Sequence, residues 1–221
     1  MSEKWAVLGG AIAMTQATPK LLTFDEFVAR YGDNERYELI DGELIDMEPT
    51  GPHEEVAAFV LRKVNVEIDR LSVRWFTPAR CLIKPLGTTT AFRPDVVVLD
   101  KVAIVNEPLW QNEPVITLGA SVKLVVEVVS TNWQNDYARK VEDYSTIGIP
   151  EYWVVDYLGL GGRDYIGNPK QPTISIYLLS ASGNQYQKPI QFRGSERIIS
   201  PTFKELQLTA EQVFAAGNYS D

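Results

Sequence analysis

The sequence predicts a mixed α/β fold, one central sheet with helices packed on its faces, and three observations carry that expectation. Two runs, "DVVVLD" and "LVVEVVS", are dense in β-branched residues and read as strands buried on both sides. The second of them, a helical pattern and the apolar run "EYWVVDYL" form a strand–helix–strand unit of about thirty residues, long enough for a crossover between parallel strands. Residues 54–71 carry apolar side chains at helical spacing (Val56, Phe59, Val60, Val64 and Ile68), as a helix lying on such a sheet should.

Taken in order, Thr23 and Glu26 form a capping-box signature that opens the helix "TFDEFVARYG", with Gly32 as its stop. In "RYELIDGELIDM" the pair Asp41-Gly42 between alternating runs predicts a hairpin. After the 54–71 helix come strand-like runs at "VRWFTPARCLI" and "RPDVVVLD", then an irregular connection over 101–121 containing Pro108 and Pro114. The turn "STNWQND" separates the glutamate-bearing strand from a helix at about 135–147, and Gly148-Ile149-Pro150 precedes the next strand. Two further strands, "TISIYLLSA" and "YQKPIQF", and short helical turns complete the chain, with no repeat or low-complexity tract.

Residues 1–22 are expected to be a flexible N-terminal segment and 23–221 a single domain. The opening loosely imitates a secretory signal, but Glu3 offsets its positive end and two glycines interrupt an apolar run too short for a bilayer. No other stretch approaches membrane length, so the expected location is the cytoplasm, with no membrane partner.

A single cysteine and a single histidine exclude a zinc site built from thiolates and imidazoles, leaving a hard cation on carboxylates as the metal chemistry open to this chain. The net charge of -8 argues against nonspecific coating of nucleic acid. Its distribution matters more than its sum: between residues 62 and 93 seven basic side chains stand against Glu67 and Asp69. That stretch could make a local positive face, or simply a solvated surface.

Three charges sit where the pattern calls for apolar side chains. Glu127 shares a strand face with Val125 and Val129, and Asp95 opens a strand that also looks buried on both faces. Carboxylates brought close repel and tend to protonate unless a cation sits between them, and magnesium suits a pair of carboxylates plus waters and phosphate oxygens. In the following helix Tyr137, Val141 and Tyr144 form the apolar stripe, and Lys140 belongs to the same face. That lysine could snorkel or pair with Asp136 at i-4, or it could reach back toward the acids. An acid pair, a hard cation and a lysine are a catalytic set for phosphodiester hydrolysis.

At these residues the chain resembles the PD-(D/E)XK nuclease superfamily, which has the restriction-endonuclease-like fold. The matching positions are Pro94-Asp95 and Glu127-Val128-Val129; Val129 stands where the motif usually has lysine. The resemblance implies that Asp95 and Glu127 ligate Mg2+ or Mn2+ with the backbone carbonyl of Val128, and that the catalytic lysine has migrated to Lys140. More closely, "YELIDGEL", "PTGPHEE", "RPDVVVLD", "LVVEVVS" and "ARKVEDYSTIGIPEYWVVD", in that order between Thr23 and Asp156, resemble the Uma2 family of restriction-endonuclease-like proteins, a domain of unknown function. Glu38, Gly42, Glu43 and His53 match the family's N-terminal hairpin and following histidine. Gly42 reads first as a turn residue, and Glu38 and Glu43 as hairpin-flanking acids; Glu43 is also a candidate extra acid beside the metal. His53 is a candidate for local hydrogen bonding or for accepting a proton from water. Trp133, Tyr137, Tyr144, Tyr152 and Trp153 could stack on bases but fit core spacing better.

The leading expectation is a magnesium-dependent endonuclease acting on DNA, RNA not excluded, and working as a homodimer. On this reading alanine at Asp95, Glu127 or Lys140 abolishes cleavage and leaves the fold intact. The alternative, which the overall acidity favours, is a noncatalytic binding or assembly module that keeps the fold with a vestigial acid site.

Overall fold

A computed structural model of the chain describes residues 21–47, 49–85, 87 and 89–218, so most of the segment expected to be flexible, residues 1–20, lies outside the described residues. Helix α1 (Phe24–Tyr31) opens on the expected capping box, with the Glu26 amide donating to Thr23 Oγ1 at 3.2 Å and the Thr23 amide to Glu26 Oε2 at 3.1 Å. Strands β1 (Tyr37–Ile40) and β2 (Glu43–Asp46) form the antiparallel hairpin, and both turn residues, Asp41 and Gly42, have positive φ (52° and 84°). Those angles are what a two-residue hairpin turn requires. Helix α2 (Gly51–Leu71) begins three residues earlier than its periodicity suggests, because Gly51-Pro52 is tolerated in a first turn. It buries Val56, Val60, Val64 and Ile68 in one stripe, together with His53.

The run expected as one strand at 73–83 is two, β3 (Trp75–Phe76) and β4 (Leu82–Ile83). Pro78 lies between them and has no N–H to continue a ladder. Beyond them lie β5 (Val96–Asp100), β6 (Val115–Ile116) and β7 (Val122–Val128). The helix expected over 135–147 starts as a π-turn, Asn135–Arg139, and becomes α3 (Lys140–Thr146) only at the lysine. It is followed by β8 (Glu151–Asp156), α4 (Arg163–Ile166), β9 (Thr173–Leu178), β10 (Ile190–Phe192) and α5 (Ala210–Ala215).

The main sheet runs β10-β9-β8-β7-β5-β3. Within it β7 and β8 are parallel, with Glu127 opposite Val154, and every other neighbouring pair is antiparallel. The parallel pair is the crossover expected from the thirty-residue unit, and the mixed sheet with helices on its faces is the expected fold class. One face packs Val96, Val98, Leu124, Val126 and Val128 against α2 and α5. The other packs Val97, Leu99, Val125 and Val129 against Tyr137 and Tyr144, so strand alternation turns Glu127 toward α3. Tyr144, Tyr152 and Trp153 are fully buried and Tyr137 nearly so, which is the core role their spacing suggested.

A third cluster joins α1, the hairpin, β4 and β6 through Phe24, Phe27, Leu39, Leu82 and Val115. The Leu39 amide donates to Ala91 O at 3.0 Å and the Ala91 amide to Leu39 O at 2.7 Å, so the hairpin is fixed beside the segment that leads into β5. Among the described residues no helix is long and apolar enough to cross a membrane.

Candidate active site

Antiparallel pairing sets Val96 opposite Val126, which brings the entrance of β5 to the exit of β7. Asp95, one residue before β5, therefore meets the peptide that follows Glu127: its Oδ2 accepts the Val128 amide at 2.6 Å. Asp95 and Glu127 both line a cavity of about 460 Å³, together with His53, Val128, Ser130 and Asp136. The Asp95 side chain is one-fifth exposed, and that of Glu127 is almost wholly enclosed (20% and 3%).

Glu127 is held from behind. Lys140 Nζ lies 3.0 Å from its Oε2, and the Tyr144 hydroxyl donates to its Oε1 at 2.7 Å. The same ammonium stands 3.2 Å from Asp136 Oδ1 and 3.4 Å from Glu38 Oε1, with no solvent exposure. The π-turn sets this up: the Lys140 amide reaches back to Asn135 O, and Asp136 and Lys140 are buried on one side. Glu38 comes from β1, where the Arg93 amide donates to its Oε1 at 2.7 Å.

Burial raises the carboxyl pKa of Glu38, Asp95 and Glu127, and pushes Asp136 up to about 6; Lys140 opposes the shift in every case without cancelling it. Burial also disfavours the Lys140 ammonium, but the surrounding carboxylates outweigh that and hold its pKa well above the ordinary value. Glu38, Glu127 and Asp136 share one buried lysine, so the site is short of positive charge.

His53, at the start of α2, engages Val128 O through Nε2 at 2.8 Å and lies 3.6 Å from Asp95 Oδ2. A carbonyl can only accept, so Nε2 carries the hydrogen. Val128 thus bonds Asp95 through its N–H and His53 through its C=O, from the two peptide groups on either side of its Cα.

The structure does not bring every expected residue here. Glu43 is exposed on β2 opposite Ile40, and the acid that the hairpin delivers to the cluster is Glu38. Strand position decides this: β1 is bonded on its other edge to Ala91 through Leu39, so both of its faces are covered and Glu38 is buried, whereas Glu43 begins β2, which pairs only with β1. Lys140 is not on the cavity wall; it stands behind Glu127 and Asp136. Asp136, read from sequence only as a local partner of Lys140, both pairs with it and lines the cavity. Tyr144, read as core, is also the hydrogen-bond donor to Glu127. Three of the seven basic side chains of the 62–93 stretch are engaged within the chain: Arg70 pairs with Glu67 and Glu205, Arg80 with Glu35, and Arg93 donates to the carbonyls of Tyr31, Gly32 and Tyr37.

Among the described residues no three His, Cys, Asp or Glu side chains gather as a metal-holding group. Where β5 enters and β7 leaves the sheet, the cavity offers the Asp95 and Glu127 carboxylates and the second lone pair of the Val128 carbonyl. This oxygen set fits Mg2+ or Mn2+, which take one or two protein carboxylates and complete their shell with waters and phosphate oxygens.

The model of the Uma2 family, described as "Putative restriction endonuclease", matches residues 24–211. No curated protein matches the chain. Among solved structures, the crystal structure of "a putative nuclease belonging to DUF820" from Anabaena variabilis superposes with a TM-score of 0.63 at 20% identity, covering 89% of this chain and 99% of that one. At that identity the likeness is one of fold.

Proposed function

The chain belongs to the Uma2 family, and from that membership and the acid cavity we propose that it is a nuclease that hydrolyses DNA phosphodiester bonds with Mg2+ or Mn2+. The observation that carries this reading is the meeting of Asp95 and Glu127 on one cavity wall with too little positive charge to balance them. We further assign the chain to the PD-(D/E)XK superfamily, with its lysine displaced to α3.

In this reading the Asp95 and Glu127 carboxylates and the Val128 carbonyl hold the cation. When bound, such an ion neutralises phosphate charge and makes a coordinated water more acidic. The chain's own groups prepare the place. Lys140 and Tyr144 orient the Glu127 carboxylate, and Lys140 favours its ionised form. His53 holds the Val128 carbonyl and Asp95 the amide on the other side of the Val128 Cα, and together they set where the carbonyl oxygen points. Lys140, enclosed behind Glu127, is a positioning residue. Hydrolysis adds the water oxygen to phosphorus, breaks one P–O ester bond and delivers a proton to the leaving oxygen. A homodimer would place two such cavities on opposite strands.

The test is cleavage of plasmid, single-stranded DNA and RNA by the purified chain with Mg2+ or Mn2+. Asp95→Ala and Glu127→Gln should each lower cleavage by at least about a hundredfold. Undiminished cleavage in both variants removes the assignment. Mn2+ binding by wild type with no cleavage of any nucleic acid would favour the noncatalytic module.

A further inference from the structure

Hydrolysis needs a group that takes the proton of the attacking water, and Lys140, the expected catalytic lysine, cannot reach it. Its side chain has no solvent exposure and stands behind Glu127 and Asp136. Most other polar groups on the cavity wall are already engaged. Asp95 accepts the Val128 amide, Glu127 is held by Lys140 and Tyr144, and Glu35 is paired with Arg80. His53 spends its Nε2–H on the Val128 carbonyl, and its Nδ1 is sealed from solvent, 3.7 Å from Glu54. Glu54 itself stands largely in solvent.

Asp136 is the remaining acid on that wall. Its side chain is 8% exposed, and two contacts fix it. Lys140 Nζ stands 3.2 Å from its Oδ1, and the fully buried Tyr152 donates its hydroxyl to the Asp136 backbone carbonyl at 2.9 Å. No donor among the described residues takes Oδ2. Asp136 is near enough for its charge to bear on Glu127, yet it does not join Asp95 and Glu127 in a three-acid metal group. It is a held carboxylate beside the candidate metal ligands and separate from them. Burial raises its pKa against the pull of Lys140, which makes it a stronger base than an exposed aspartate.

We propose that Asp136 is the general base of the reaction, its Oδ2 taking a proton from the attacking water as the water oxygen bonds to phosphorus. The inference rests on the nuclease reading and deepens it. As the new bond forms, one P–O ester bond breaks and the leaving oxygen takes a proton from a solvent water. The hydroxide so formed takes the proton from Asp136, which restores the carboxylate and leaves one water consumed overall. Lys140 then positions two groups at once, the Glu127 carboxylate on the metal side and the Asp136 carboxylate on the water side.

Cleavage of an oligonucleotide and Mn2+ binding followed by electron paramagnetic resonance are measured on the same samples. In Asp136→Asn, kcat per Mn2+ site should fall at least about a hundredfold while Mn2+ affinity changes little. Glu127→Gln should weaken Mn2+ binding itself, so the two variants separate on metal affinity. Counting Mn2+ sites corrects for unfolded protein, since a fold defect lowers the number of sites and leaves kcat per site alone. In Asp136→Ala, added formate should restore part of the lost kcat, which a purely structural role would not allow. An unchanged kcat, a Mn2+ affinity that falls in step with kcat, or a loss that formate leaves untouched overturns the base assignment while the nuclease reading stands. If wild type cleaves no nucleic acid, both fall together.

Discussion

Lys140 Nζ stands 3.0 Å from Glu127 Oε2, and together the two side chains present almost no surface to solvent. Neither charge is tolerable there without the other. A buried pair of this kind gives little net stability over an apolar replacement, but breaking it from one side is severe.

Lys140→Met should therefore destabilise the fold by about 3–5 kcal/mol, because Glu38, Glu127 and Asp136 lose their shared cation. Adding Glu127→Gln should recover part of the loss. Urea denaturation of the two single variants and the double variant measures this, and an unshifted midpoint for Lys140→Met would refute it. The same denaturation curves test the sequence-based expectation that substituting this lysine leaves the fold intact.

The carboxyl of Asp136 gives a pH signature. Burial raises it from 3.8 to about 6 in the folded chain, against the pull of Lys140. A carboxyl raised on folding favours the native state most when protonated. Its contribution is complete below the unfolded value and is lost as pH climbs from 3.8 through about 6. Relative to wild type, Asp136→Asn should flatten the stability profile in that window, by an amount on the order of a few kcal/mol between its ends. Parallel pH profiles for the two proteins would contradict this.

Next door, Arg139 offers a contrast. Its guanidinium bonds both oxygens of Asp41 at 2.9 and 2.7 Å, tying the hairpin turn to the π-turn that precedes α3, but Asp41 is 62% exposed. Solvent screening should keep this coupling at or below about 1 kcal/mol in a double-mutant cycle of Arg139→Ala and Asp41→Ala. A coupling of several kcal/mol would mean that the hairpin depends on this contact to reach the site.

Cys81 should be inert in the native protein. Burial, and after it the nearby Glu107, pushes its thiol pKa well up, so little thiolate forms. Thiol-reactive dye should label it at least about a hundredfold faster in urea than in buffer. Equal rates would show that its pocket opens freely.

The strands and the crossover were legible because their residues are apolar on both faces, and Glu127 and Lys140 because a charge interrupts such a pattern. The choice between Glu38 and Glu43 was not. Both flank the same turn, and what selects Glu38 is that its strand, and not that of Glu43, is covered through the Leu39–Ala91 bridge, a contact between segments some fifty residues apart. Position in the helix was equally opaque: periodicity put Lys140 on the core face, but not behind Glu127 instead of beside the cavity. The π-turn that sets its depth has no periodic signature of its own. Tyr144 was placed in the core correctly, yet an apolar stripe says nothing about where a hydroxyl will point.

The group at the centre of the site belongs to no side chain. Val128 offers its N–H to Asp95 and its C=O to His53, and Val128→Ala keeps both. An alanine scan would pass over this position and record it as packing. Only a change to the main chain itself, such as an ester in place of the 127–128 amide, which deletes the N–H to Asp95 and leaves the carbonyl to His53, would reveal what the valine most easily dismissed as filler contributes.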